Sequence, residues 1–207
     1  MLEKLKLMHL LMVLRFLKVF FLSLNNMKLH LGCGKRYLEG YIHIDIADFE
    51  HIDYKTPVDN LSIFEDGSIS EIYASHVIEY FDRDEVLNVL SEWKRVLKDG
   101  GLLRIAVPNF QELINVYKMS GNLDSIIGPL YGKWEIGESN SIYHKTVYDF
   151  KSLSNTLSNV GFKNINKWDW RTVFNENLEF DDHSQAYFPH MDKNNGIHVS
   201  LNIECRK

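Results

Sequence analysis

Two glycines, an acid and a set of histidines carry the chemistry that this sequence can do. Gly32-Cys33-Gly34 follows directly on a short run holding Leu29 and Leu31, and Asp45 stands near the end of the next β-like run, Tyr41, Ile42, Ile44 and Ile46. Glycine has no Cβ, so a ligand can approach the backbone closely there. An acid ending the following strand can accept both hydroxyls of a ribose. Together they predict a site for a nucleoside-containing cofactor. A second set could move protons or hold an acceptor: His76, His144, His190 and the run Asp181-Asp182-His183. Histidine titrates near neutral pH and serves as a general base. Adjacent carboxylates beside an imidazole also suit a divalent cation. A solvated acidic loop is the commoner outcome, so no metal is assigned.

The elements that must position these residues can be read in order. Met27–Leu31 and Tyr41–Ile46 are strands joined by a short crossover. Thr56-Pro57-Val58-Asp59-Asn60-Leu61 is a short extended run, and Ile69–Ser75 is a strand. Asp82–Lys98 predicts a helix, with Asp82 and Glu85 as a capping box and Lys94, Arg95 and Lys98 at the negative end of the dipole. Its apolar face is Val86, Leu87, Leu90, Trp93, Val96 and Leu97. Leu102–Val107 is a strand that Pro108 ends, and Phe110–Met119 is a helix. Residues 120–146 show no period and predict an insertion near the site. Asp149–Asn159 is helical, with Gly161 as its stop. Phe162–Trp170 predicts a strand with Trp168 and Trp170 on one face, as core residues or as a platform for a sugar ring beside Tyr187 and Phe188. Gly196–Cys205 alternates as a final strand. Strands alternating with helices imply a mostly parallel α/β sheet wound on both sides, with the last two strands antiparallel neighbours.

Residues 1–26 differ from the rest. They are rich in Leu, Met and Phe, lack Gly and Pro, and are interrupted by Lys6, His9, Arg15 and Lys18. That predicts an amphipathic helix added to a domain spanning 27–207, and a contact to a membrane surface or a second subunit, such as a homodimer. A membrane span or a cleaved leader fits less well. The chain has 207 residues and a net charge of −5, which argues against a nucleic-acid partner. Cys33 and Cys205 lack zinc spacing and predict reduced thiols in a cytoplasmic protein.

Two cofactors suit a glycine turn followed by an acid. The dinucleotide fingerprint wants a third glycine where Tyr37 stands, and an acid later than Asp45. Both departures count against NAD. The runs LHLGCGK, HID, DNLS, YASHVIEYF and EWKRVLKDGGLLRIAVPN resemble, in order, the motifs of class I S-adenosylmethionine (SAM) dependent methyltransferases. They are most similar to small bacterial and viral members associated with polysaccharide biosynthesis. The resemblance covers roughly residues 27–110, and HKTVYDF, VGF and DDHSQAYFPHMDKNNG extend it.

The resemblance implies a Rossmann-like fold with a seven-stranded, mostly parallel sheet, helices on both faces and an antiparallel last strand. It implies SAM as cofactor and S-adenosylhomocysteine as product. Gly32, Cys33 and Gly34 would pass under the methionine part, Asp45 would hold the ribose, Asn60 and Leu61 would meet the adenine edge, and Ser75 and His76 would lie beside the methyl. His30 replaces the usual acid before the turn, Tyr80 replaces the second histidine of HVLEH, and the first helix must be stunted.

Methyl transfer from a sulfonium is an in-line displacement that needs nucleophile and methyl held about 3–3.5 Å apart. An alcohol acceptor also gains from a base, and His144, His76 and His190 are the candidates. Asp181, Asp182, His183, Tyr187 and Trp170 would bind the acceptor. The expectation is a SAM-dependent O-methyltransferase acting on a sugar hydroxyl. The alternatives are another small-molecule methyltransferase and a non-catalytic SAM-binding scaffold. An amine-methylating enzyme of nucleobases would carry Asn/Asp-Pro-Pro-aromatic where Ser75-His76-Val77-Ile78 stands.

Overall fold

The computed structural model describes residues 26–136, 140–174 and 181–207, and the amphipathic segment expected over 1–26 lies outside them except for Asn26. The sheet is built from β1 (Met27–Leu31), β2 (Ile42–Asp45), β3 (Tyr54–Lys55), β4 (Ile69–Ser75), β5 (Leu97–Pro108), β8 (Lys163–Lys167) and β11 (Ser200–Arg206). It is 7-stranded, in the order β3-β2-β1-β4-β5-β11-β8. The first five of these pair in parallel, and β11 runs antiparallel to both β5 and β8. The Rossmann-like sheet expected from the sequence is therefore present, antiparallel strand included.

The central strands are apolar because both their faces are covered. Leu29, Leu31, Ile72, Ala74, Leu103 and Ile105 are buried. On one side they meet α1 (Glu85–Val96), which buries Val86, Val89, Leu90, Trp93 and Val96. Leu87, expected on that face, is exposed. Trp93 is wholly buried, and its indole N–H donates to the Val58 carbonyl over 2.8 Å, which ties α1 to the loop before β4. The capping box forms as expected: Asp82 accepts from the Glu85 N–H at 2.8 Å, and Glu85 accepts from the Asp82 N–H at 2.9 Å.

Other expectations shift. Residues 32–41 form turns, so β1 and β2 are joined without a helix. The insertion over 120–146, in which the sequence shows no period, holds α3 (Asp124–Leu130) and a hairpin of β6 (Lys133–Ile136) and β7 (Asn140–Tyr143), preceded by α2 (Phe110–Ser120). The strand expected to reach Trp170 ends at Lys167, and Trp170 begins a short helix, α5 (Trp170–Val173). The last strand is split: β10 (Ile197–His198) pairs with β9 (Tyr187–Phe188), and β11 starts at Ser200.

α4 (Phe150–Val160) follows His144 closely, and Gly161, at φ 93°, ends it. Asp149 accepts from the Ser152 N–H at 2.7 Å, and the Ser152 hydroxyl accepts from the Asp149 N–H at 3.0 Å. Replacing Asp149 with Ala removes that cap and is expected to cost about 1 kcal/mol. The check is a lower urea midpoint with an unchanged slope. Hydrogen bonds from Ser152 hold the Asp149 carboxyl below the usual range. The cap therefore contributes above the ordinary carboxylate pKa and is lost as pH falls through the depressed one.

Candidate active site

The carboxyl ends of β1, β2 and β4 open into a cavity of about 1330 Å³. That is where an open α/β sheet binds ligands. Gly32, Gly34, Asp45 and Cys33 line one part of it. Gly32 and Gly34 have φ of 59° and 54°, a region that L side chains rarely adopt, and a Cβ at Gly32 would sit 2.5 Å from a Val77 methyl carbon. The turn is tied to the sheet by the Gly32 N–H, which donates to the Ile44 carbonyl over 2.8 Å. Asp45 is 5% exposed. Its two oxygens each accept one backbone N–H at 2.8 Å, from Gly34 and from Ala47. Each oxygen keeps a lone pair for a further donor. Cys33 is buried, and burial pushes its thiol up to about 12, so it stays protonated.

Asn60 and Leu61, expected at the adenine edge, are engaged within the fold. The Leu61 N–H donates to Glu92 at 2.9 Å, and the Asn60 side chain folds back onto Ser62 at 2.7 Å. Neither residue lines the cavity, which Ile46, Pro57, Val58 and Asp59 border at that place.

At the end of β4 the chain turns sharply. Ser75 and His76 line the cavity, and His76 has φ 56° with its N–H on the Ala106 carbonyl at 2.8 Å. The 3₁₀ turn Ile78–Tyr80 follows, and in it Glu79 is completely buried. Its Oε1 lies 3.4 Å from His76 Nδ1 and 3.9 Å from His144 Nε2. Its backbone carbonyl accepts from the N–H groups of Lys145 and Thr146 at 2.7 and 3.2 Å, which brings His144 to the site. Sequence reasoning missed Glu79. The signal was an acid inside the apolar run Val77-Ile78-Glu79-Tyr80, three residues after His76.

His183 joins from the other side. Its ring centroid is 5.0 Å from that of His76, and its surface opens into the cavity. Among the described residues no hydrogen bond engages its ring. The protein crowded around it, and then Arg36, push its pKa down to about 4. Burial followed by His183 and His144 lowers His76 well below its ordinary value, and burial lowers His144. All three imidazoles are therefore neutral near pH 7 and able to accept a proton.

The remaining expected residues divide. His190 and Asp181 line the cavity at its exposed margin, where Asp181 pairs with Lys193 at 3.3 Å. Asp182 also lines the cavity, but its carboxyl is buried and braced by the fold: it accepts from the Tyr73 hydroxyl, and from the Ser184 N–H at 2.9 Å. Tyr187 lines the cavity while its hydroxyl accepts from Arg171 at 2.8 Å. Trp170 does not border the cavity; it is packed in a core cluster with Tyr73, Trp168 and Tyr187. Among the described residues no group of His, Cys, Asp and Glu is arranged to hold a metal ion.

The β6–β7 hairpin covers the site. Trp134 lies over the glycine turn, with its ring 3.4 Å from where a Gly34 Cβ would stand. A Cβ at Gly132 would meet His144 Cε1 at 2.6 Å and Nε2 at 2.7 Å. Replacing Gly132 with Ala is therefore expected to displace the His144 ring. About a tenfold loss in kcat is expected, taking a fraction of the 10²–10⁴ attributed to a positioned acid–base group. Thermal unfolding should change little.

Residues 43–105 match the family model described as a methyltransferase domain. No curated protein matches the chain. A SAM-dependent methyltransferase from Archaeoglobus fulgidus has 16% identity and a TM-score of 0.53, over 96% of this chain and 94% of that one. A SAM-dependent methyltransferase from Thermotoga maritima has 15% identity and a TM-score of 0.54, over 93% and 87%. The 1,6-didemethyltoxoflavin-N1-methyltransferase of Burkholderia thailandensis, solved with 1,6-didemethyltoxoflavin and S-adenosylhomocysteine, has 11% identity and a TM-score of 0.51, over 93% and 76%. At these identities the likeness establishes the fold, which is that of SAM-dependent methyltransferases. The matched stretch is similar to a methyltransferase domain, and SAM is the cofactor for which the solved structures of this fold are named. The glycine turn and the two-oxygen cradle of Asp45 fit that cofactor.

Proposed function

We propose that the protein transfers the methyl group of SAM to a hydroxyl group of a saccharide. The observation that carries this reading is the gathering of His76, His144 and His183, all neutral, beside the cofactor cradle. A thiol or amine acceptor would need little beyond alignment, whereas an alcohol gains from a base. When bound, SAM supplies a methyl group made electrophilic by its sulfonium. Gly32 and Gly34 let the backbone approach its methionine part, Asp45 accepts its ribose hydroxyls, and Val58 with Asp59 borders the adenine. His183 opens to the cavity and takes the acceptor's proton. His76 and His144 stand behind it.

Room and lining support a sugar. The cavity, at about 1330 Å³, exceeds the roughly 300–1,000 Å³ of an ordinary small-ligand site, so an acceptor fits beside the cofactor. Its walls offer aromatic Trp134, Tyr143 and Tyr187 with Asp59, Asp124 and Asp181. Rings to stack on and carboxylates to accept hydroxyls are what a saccharide requires. Among the described residues no helix is long and apolar enough to cross a membrane.

The test is S-adenosylhomocysteine release measured against a panel of oligosaccharides, with and without chelator. Turnover that survives the chelator and depends on a saccharide hydroxyl is expected. Methylation of amines but of no sugar would sink the reading.

A further inference from the structure

Glu79 is fully buried, and neither of its side-chain oxygens has a hydrogen bond of ordinary geometry. A carboxylate left in that condition would be very costly. The protonation of its neighbours can be worked out from their other contacts. His144 Nδ1 faces the Pro129 carbonyl at 2.9 Å, and a carbonyl only accepts, so Nδ1 carries the hydrogen and Nε2 is a bare lone pair. On the other side, the Asn202 amide donates to the Ser184 carbonyl at 3.0 Å, which turns its oxygen toward Ser200. The Ser200 hydroxyl donates to that oxygen at 2.8 Å and is left to accept from His76 Nε2 at 3.5 Å. His76 therefore carries its hydrogen on Nε2, and Nδ1 is bare. Two bare nitrogens, His76 Nδ1 and His144 Nε2, are aimed at one carboxyl oxygen. Lone pairs do not face a carboxylate with nothing between them.

We infer that Glu79 holds a proton at rest between His76 and His144, and that its ionisation switches the imidazoles on as bases for methyl transfer. The groups facing Glu79 agree. Besides the two histidines, Tyr80 and Tyr148 lie near it, both with phenols raised by burial and by Glu79. His183 and Arg36 act one layer further out, through His76. Among the described residues no lysine or arginine is paired with Glu79. Burial pushes its carboxyl up to about 8.

The role rests on the proposed methylation of a hydroxyl. Once Glu79 is ionised, the acceptor oxygen bonds to the methyl carbon. The carbon–sulfur bond breaks with its electron pair going to sulfur, and the hydroxyl proton passes to His183. The resulting imidazolium lies against the His76 ring, whose Nδ1 meets the Glu79 carboxylate on its other side. The proton then leaves to solvent through the cavity. Glu79 touches neither substrate nor cofactor, so it is a positioning residue acting through the histidines.

Difference infrared spectroscopy on the full chain tests this without any acceptor. The carbonyl band of a buried protonated carboxylic acid is expected to vanish as pH rises through about 8, and to be missing in Glu79→Gln. The acidic limb of kcat/KM in the unaltered protein should share that midpoint, and in Glu79→Gln, which cannot ionise, that limb should disappear and the rate stay at the low level of the protonated resting form. A band that titrates in the ordinary carboxylate range overturns the inference. So does a limb whose midpoint differs from that of the band, or one that Glu79→Gln leaves in place. If no saccharide supports turnover but the band behaves as stated, the acceptor assignment fails and the resting proton stands. The band and limb of the unaltered protein decide the matter even if the variant does not fold.

Discussion

Asp45→Ala is expected to weaken SAM and S-adenosylhomocysteine binding equally, by about 100-fold or more. Asp45 spends one lone pair of each oxygen on the Gly34 and Ala47 N–H groups. The other lone pairs are free to accept the two ribose hydroxyls. Hydrogen bonds to a charged group contribute about 1.5–3 kcal/mol each, and two of them amount to at least 100-fold in affinity. The substitution also strands two backbone donors and loosens the turn beneath the methionine part. The ribose is common to substrate and product, so titration calorimetry should give the same loss for both. Asp45→Asn keeps one acceptor and should fall between. Wild-type affinity in Asp45→Ala would remove Asp45 from the cofactor site.

His183→Asn is expected to leave SAM affinity within about twofold while lowering kcat about 10²–10⁴-fold, the usual share of a positioned acid–base group. Among the described residues no hydrogen bond engages the His183 ring, whereas His76 and His144 have both nitrogens turned to the protein. His190→Asn should matter far less, because among the described residues it is the His183 ring that packs against His76. Saturating kinetics with a saccharide that supports turnover, beside SAM calorimetry, separates the two effects. Loss of SAM binding in His183→Asn, or full activity, would return the role to another group.

Much of this architecture was legible in local patterns. β4 and α2 begin where the apolar runs and turns place them, because strand alternation, capping acids and Gly or Pro stops are short-range signals. The glycine turn and Asp45 were legible for the same reason: a bend without Cβ atoms and an acid on the neighbouring strand are nearly local. What failed depended on contacts far apart in sequence. Asn60 and Leu61 were placed by analogy, but Glu92, on α1, reaches back to take the Leu61 N–H. Asp182, expected to bind the acceptor, reaches the cavity wall, but its carboxyl is taken by the Tyr73 hydroxyl, a partner far away in sequence. Trp170 looked like a strand residue, but Asp169 accepts from the Arg171 N–H at 2.9 Å and starts a helix there. Glu79 was invisible because its meaning comes from His144, which arrives through the loop held by its carbonyl.

The buried acid between two histidines also bears on how the molecule endures. An unfolded chain releases the Glu79 proton near the ordinary glutamate value of 4.5, whereas the folded chain keeps it to about 8. Between those values the folded state binds the extra proton, so stability falls as pH rises, by up to about 1.4 kcal/mol per unit. The neutral histidines pull the other way at lower pH. His76 and His183 stay uncharged when folded and take up protons when unfolded, so stability climbs with pH until their ordinary value near 6.5 is passed. The fold is therefore firmest in mildly acidic solution and loses stability on either side, so the rise in pH that ionises Glu79 and readies the bases also loosens the fold.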